Sequence, residues 1–143
     1  MTYLVLRTSY GQSVRFSLYD QESPNTCREI SRVLPLKVKF VQGRFAGEEI
    51  YSSEGPLLEL PAENATINLK DGEIGFAPVG ERNEVARNFA IVYGKARLSD
   101  WVNVFGIVTK EDALKLKKIC EHVWTSGAQE FTLEIEKMAI RRV

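Results

Sequence analysis

The stretch from Gly43 to Tyr51 gathers the densest set of side chains able to do chemistry: Arg44 follows one glycine, and Glu48, Glu49 and Tyr51 follow another at Gly47. A guanidinium holds a carboxylate through two parallel hydrogen bonds, and a carboxylate accepts a proton from an amide or an ammonium. The glycines permit a tight bend that would fold Arg44 back over a strand beginning at Glu48. Neighbouring strand residues point to opposite faces, so one of Glu48 and Glu49 is expected to turn toward that cation and the other away. Phe76 and Tyr93 are expected as aromatic walls that exclude water and strengthen both contacts. Arg44, Glu48, Glu49, Tyr51, Phe76 and Tyr93 together read as a ligand-binding site for a planar carboxylate or amide. The competing reading makes the charges a surface ion pair and the aromatics, with Phe89 and Trp101, plain core.

Other chemistry has less to stand on. His122 is the only histidine, there is no Cys-x-x-Cys, and no carboxylate is spaced from a second histidine, so no metal site is expected. Ser52 and Ser53 have no histidine near them in sequence, which leaves no nucleophile to assign and the catalytic residues unknown. No cofactor is expected. Cys27 and Cys120 fall at helical spacing among apolar residues and read as reduced core thiols. Glu63-Asn64-Ala65-Thr66 is a second polar group, in which Asn and Thr are expected to hold a turn through nearby backbone.

The chain has 143 residues, with 19 Lys and Arg against 19 Asp and Glu. That balance argues against a general polyanion binder, so no nucleic-acid partner is expected. No apolar run approaches the roughly 20 residues that cross a bilayer, and the N-terminus lacks a basic region followed by an apolar one. No membrane partner and a cytoplasmic location are therefore expected, with residues 1–143 as a single domain. A charge-mixed loop in the 80s, an irregular stretch from Ser53 to Asp71 and the apolar piece Met138-Ala139-Ile140 suggest surface covered in a homo-oligomer, with residues 137–143 as a mobile or partner-contacting tail.

Apolar patterns mark strands at residues 3–7, 13–19, 36–40, 48–52, 74–77, 102–108 and 131–135, and the nearly continuous apolar run at 89–93 reads as a strand covered on both faces. Ser23-Pro24 opens a helix whose face is Cys27, Ile30 and Leu34, and which ends at Pro35. Thr109-Lys110-Glu111-Asp112 resembles a capping box ahead of a second helix carrying Ala113, Leu116, Cys120 and Val123. Strands far outnumber helices and do not alternate with them. The expected fold is mainly β, a closed barrel of about eight mostly antiparallel strands with two capping α-helices.

Two stretches carry a family likeness. Residues 13–19 followed by Ser23-Pro24-Asn25-Thr26-Cys27-Arg28-Glu29-Ile30 resemble the second strand and first helix of cyclophilins. Leu98 to Val108, with Val104-Phe105-Gly106, is similar to the cyclophilin strand that leads into the second helix. Gly47-Glu48-Glu49-Ile50-Tyr51, Gly72 to Pro78 and Phe89 to Gly94 resemble more closely the small prokaryotic cyclophilin-like families of unknown function. The resemblance implies a cyclophilin-like barrel. It does not extend to the isomerase machinery: between Leu36 and Ser53 the one arginine is Arg44, no Met-x-Gln-Gly follows, and Val102 or Asn103 stands where the pocket histidine would be. The expected function is binding of a small carboxylate or amide metabolite, or a peptide, in a barrel-side cleft. The alternative is an enzyme, either a weak prolyl isomerase or an acid–base catalyst.

Overall fold

The alternating patterns become one antiparallel sheet that closes on itself. The computed structural model describes residues 2–80 and 85–137. Its strands are β1 (Thr2–Thr8), β2 (Ser13–Leu18), β3 (Leu36–Gln42), β4 (Gly47–Ser52), β5 (Ala65–Thr66), β6 (Glu73–Phe76), β7 (Phe89–Ala96), β8 (Val102–Val108) and β9 (Gln129–Lys137). Helix α1 spans Pro24–Val33, and α2 spans Ala113–Ser126 after a 3-10 turn at Lys110–Asp112. The strands run β2-β1-β9-β3-β4-β7-β6-β8, and pairing of β2 with β8 closes the ring. Short β5 is an addition, paired to the start of β8 within the excursion between residues 53 and 71. Residues 81–84 and 138–143, which include parts of the expected 80s loop and tail, lie outside the described residues.

The barrel interior is filled by residues such as Leu4, Leu6, Phe16, Phe40, Ile50, Phe76, Phe89 and Phe105. Cys27 and Ile30 of α1 and Leu116, Ile119, Cys120 and Val123 of α2 join this cluster, so each helix closes the barrel with its apolar stripe. Both cysteines are free and buried, and burial pushes the Cys27 thiol up to about 12 and Cys120 higher still. Strand β7 is buried on both faces. Phe89, Ile91 and Tyr93 face inward, whereas Ala90 and Val92 join Leu69, Ala77, Leu98, Val102 and Val104 in a second apolar cluster on the outer face.

The helix starts depart from the expected caps. The Ser23 hydroxyl donates to the Val104 carbonyl at 2.7 Å and does not cap α1. Glu63 does so from a distance: its carboxylate accepts from Thr26 N at 2.5 Å, Thr26 Oγ1 at 2.7 Å and Asn25 Nδ2 at 3.1 Å. Buried Asn103 completes the knot, accepting from Glu63 N and donating to Thr26 Oγ1 and the Pro61 carbonyl. A negative charge at a helix N-terminus satisfies amides that the helix leaves free. The polar group at Glu63 is therefore a device that ties the excursion to α1 and β8. Before α2, Asp112 accepts from Arg15 N at 2.8 Å, and the expected capping box does not form.

Candidate functional site

A shallow cleft of about 40 Å³, or about 340 Å³ with the open solvent at its mouth counted, lies on the outer face of the barrel. Glu49 and Tyr51 of β4 and Ala90 of β7 line it, with Leu98, Ser99, Asp100 and Val102 opposite and Phe45, Val85 and Asn88 around them. Strand β4 supplies the polar floor. The Glu49 backbone carbonyl accepts from Gly43 N at 2.7 Å and from Gln42 Nε2 at 2.9 Å, which holds the strand against the preceding turn. Residue 43 has no room for a side chain, because a Cβ there would stand 2.5 Å from Glu49 Oε1 and 3.1 Å from Tyr51 Cδ1.

Glu49 is 4% exposed, and no donor among the described residues reaches its carboxyl. Buried Glu73 contrasts with it, accepting from the Tyr19 hydroxyl at 2.7 Å and from Lys70 N at 2.6 Å. Removal from water without a compensating charge or donor disfavours the ionised form, and burial pushes the Glu49 carboxyl from its ordinary 4.5 up to about 7. Phe45 is 74% exposed and meets the Tyr51 ring edge-on, with centroids 5.8 Å apart. The cleft thus joins an acid of near-neutral pKa to aromatic and aliphatic walls.

Glu48 and Glu49 do not take opposite faces. A register shift between Gly47 and Glu49 marks a bulge against β7, and a bulge breaks the strict alternation of side chains. Glu49 pairs with outward-facing Val92. The Glu48 carboxylate lies over Gly94, on the face that a Gly94 side chain would occupy, and accepts from Lys95 N at 3.2 Å. Both glutamates are therefore on the outer face, and Glu49 alone of the two lines the cleft.

Arg44 does not meet them. Its guanidinium sits over the Trp124 ring of α2, 4.0 Å from the centroid, a stacking available to a planar, weakly hydrated cation. Phe76 and Tyr93 are not walls of the cleft either. Phe76 is wholly buried inside the barrel against Phe89. Tyr93 also faces inward, where its hydroxyl accepts from Gln42 Nε2 at 2.7 Å and burial raises its pKa. Of the six expected residues the structure brings Glu49 and Tyr51 together on the cleft and, away from it, Arg44 and Tyr93, whose hydroxyl the guanidinium favours in its ionised form.

Phe45, Asp100 and Leu98 are additions that the sequence reading does not contain. An aromatic residue in a Gly-bounded turn is a readable signal for Phe45. Asp100 and Leu98 are distant in sequence and reach the cleft only through the barrel's closure. Of the two residues that could stand at the place of the cyclophilin histidine, Asn103 is fully buried and committed to the Glu63 knot, and Val102 lines the cleft. No arginine or lysine lines it among the described residues.

Solved structures similar to this chain share its fold. McbB in complex with tryptophan superposes with a TM-score of 0.76 at 16% identity; the match covers 97% of this chain and 46% of McbB, so the chain spans about half of that protein. The solution structure of a hypothetical protein from Archaeoglobus fulgidus gives 0.65 at 21% identity, covering 93% of both chains. A cyclophilin-type peptidyl-prolyl cis-trans isomerase of Cryptosporidium parvum, determined in the presence of the dipeptide Ala-Pro, gives 0.62 at 15% identity, covering 96% of this chain and 99% of that one. At these identities the likeness is one of fold. No curated protein matches this chain. Residues 6–135 match the family described as a protein of unknown function, DUF3830, and the chain, a cyclophilin-like barrel, belongs to that family.

Proposed function

We propose that the protein binds a small molecule that offers an amine or amide N–H to Glu49 and lays a flat apolar part between Phe45, Tyr51 and Leu98. The observation that carries this reading is the buried Glu49 carboxyl with no donor among the described residues, on a cleft with no described cation. A buried acceptor without a donor is costly, and a ligand N–H repairs that cost. Of the ligands expected from the sequence, the amide part keeps its support. The carboxylate part loses it, because Arg44 is engaged with Trp124. Tryptophan and Ala-Pro, present in the structures of McbB and the Cryptosporidium isomerase, are amino-acid derivatives with an amine to offer.

The test is a thermal-shift series with tryptamine, tryptophanamide, tryptophan, Ala-Pro and indole-3-acetate. The first two are expected to raise the Tm of the wild type in a dose-dependent way and to lose that effect in Glu49→Ala. Indole-3-acetate, whose side-chain carboxylate would be repelled by the Glu49 carboxylate, is expected to do nothing. Equal stabilisation by indole-3-acetate, or shifts that survive Glu49→Ala, would overturn the reading.

A further inference from the structure

We propose that Glu49 is a general base that removes a proton from a flat, ring-bearing substrate seated in the outer-face cleft. This rests on the cleft being the ligand site. A base in an enzyme needs a carboxylate aimed at the substrate, no cation or donor that quenches it, and walls that keep water from solvating it. The first two are present, and apolar walls narrow the approach of water. Glu49 as a residue is 4% exposed, and it lines the cleft floor. No donor among the described residues holds it, and Ala90, Leu98 and Val102 beside it belong to an apolar cluster.

Its position is also held from below. Two hydrogen bonds fix the Glu49 carbonyl, from Gly43 N and Gln42 Nε2, while the bare α-carbon of Gly43 leaves the carboxyl its space. Burial places the proton affinity near neutrality, at about 7, so the ionised form is both populated and far more basic than an ordinary carboxylate. The other titratable groups facing the cleft are Asp100, from the segment before β8, and the Tyr51 hydroxyl on the same strand. Glu48 is turned over Gly94 and Arg44 over Trp124, and neither faces the Glu49 carboxyl.

A substrate-independent probe tests this directly. In 5-nitrobenzisoxazole a base takes the ring C–H proton, the C–H electron pair completes the nitrile triple bond, and the N–O bond breaks with its pair leaving on oxygen. The product is 2-cyano-4-nitrophenolate, and the protonated carboxyl returns its proton to solvent. No other reactant is needed. The wild type is expected to accelerate this elimination with a rate that rises sigmoidally with pH to a plateau, midpoint near 7. Glu49→Gln is expected to lose on the order of 100-fold, and Glu49→Asp to retain part of the rate.

Binding of the unreactive analogue 5-nitroindazole, followed by thermal shift in wild type and Glu49→Gln, separates the two levels of the reading. If the analogue binds and the wild type is no faster than Glu49→Gln, the base is refuted and the ligand site stands. If the analogue does not bind while tryptamine does, presentation of a ring C–H to Glu49 is refuted and the amine site stands. If neither binds, both fall.

Discussion

Replacing Glu49 by glutamine should favour the variant over the wild type by more at pH 8 than at pH 4. The carboxyl is buried without a donor among the described residues, and its pKa rises from 4.5 to about 7. The folded protein therefore holds this proton more tightly than the unfolded chain. Below about pH 4.5 the group is neutral in both states and carries no penalty. Between 4.5 and 7 the unfolded chain releases its proton first, and folding stability falls as the pH rises. Above 7 the penalty is complete, at about 3 kcal/mol given roughly 1.4 kcal/mol for each tenfold change in proton affinity. A glutamine side chain has no such titration. The stability difference between variant and wild type should thus shift in favour of the variant by about 3 kcal/mol from pH 4 to pH 8, on the order of 10 °C in Tm for a chain of this length. Urea unfolding of both proteins at each pH measures it, because any constant cost of the amide cancels in the comparison. Parallel pH profiles, differing by less than about 1 kcal/mol over that range, would show that water or a donor reaches the carboxyl, and the reasoning about the cleft floor would fail.

Two other perturbations probe the frame around the site. Glu63→Ala removes a carboxylate that accepts from Thr26 N, Thr26 Oγ1 and Asn25 Nδ2 and leaves the N-terminus of α1 without its cap; a loss of about 2 kcal/mol is expected in urea unfolding, and a change below about 0.5 kcal/mol would contradict the role given to the knot. A protease-coupled assay with a proline tetrapeptide should show no acceleration by the wild type, since Arg44 is stacked on Trp124 and Asn103 is buried in the Glu63 knot; turnover like that of an ordinary cyclophilin would overturn it.

Most of the architecture is legible in local patterns. Period-two runs at β2, β3 and β9, the continuous apolar run of β7 and the helical spacing of Cys27, Ile30, Leu116, Cys120 and Val123 are local signals of burial, and burial is what strands and helices respond to. They place every strand but β5, and both helices, within a few residues and support the closed barrel, and the short motifs at Ser13–Ile30 and Leu98–Val108 point to its type. Glu49 and Tyr51 are legible too, as chemistry-bearing residues after a Gly-bounded turn. Where their partners lie depends on long-range packing. A bulge opposite Val92, which no local pattern announces, puts both glutamates on the outer face. The turn expected to bring Arg44 to them brings it to Trp124, because α2 crosses the barrel end and offers an aromatic face there. Phe76 and Tyr93 go inward because strand alternation is fixed by the pairing register, and β7 has apolar residues for either face. Helix α1 is capped at Thr26 by Glu63, 37 positions away in the chain, and not by adjacent Ser23. Local sequence states which groups seek burial or hydrogen bonds, whereas closing the sheet decides which distant groups arrive to satisfy them.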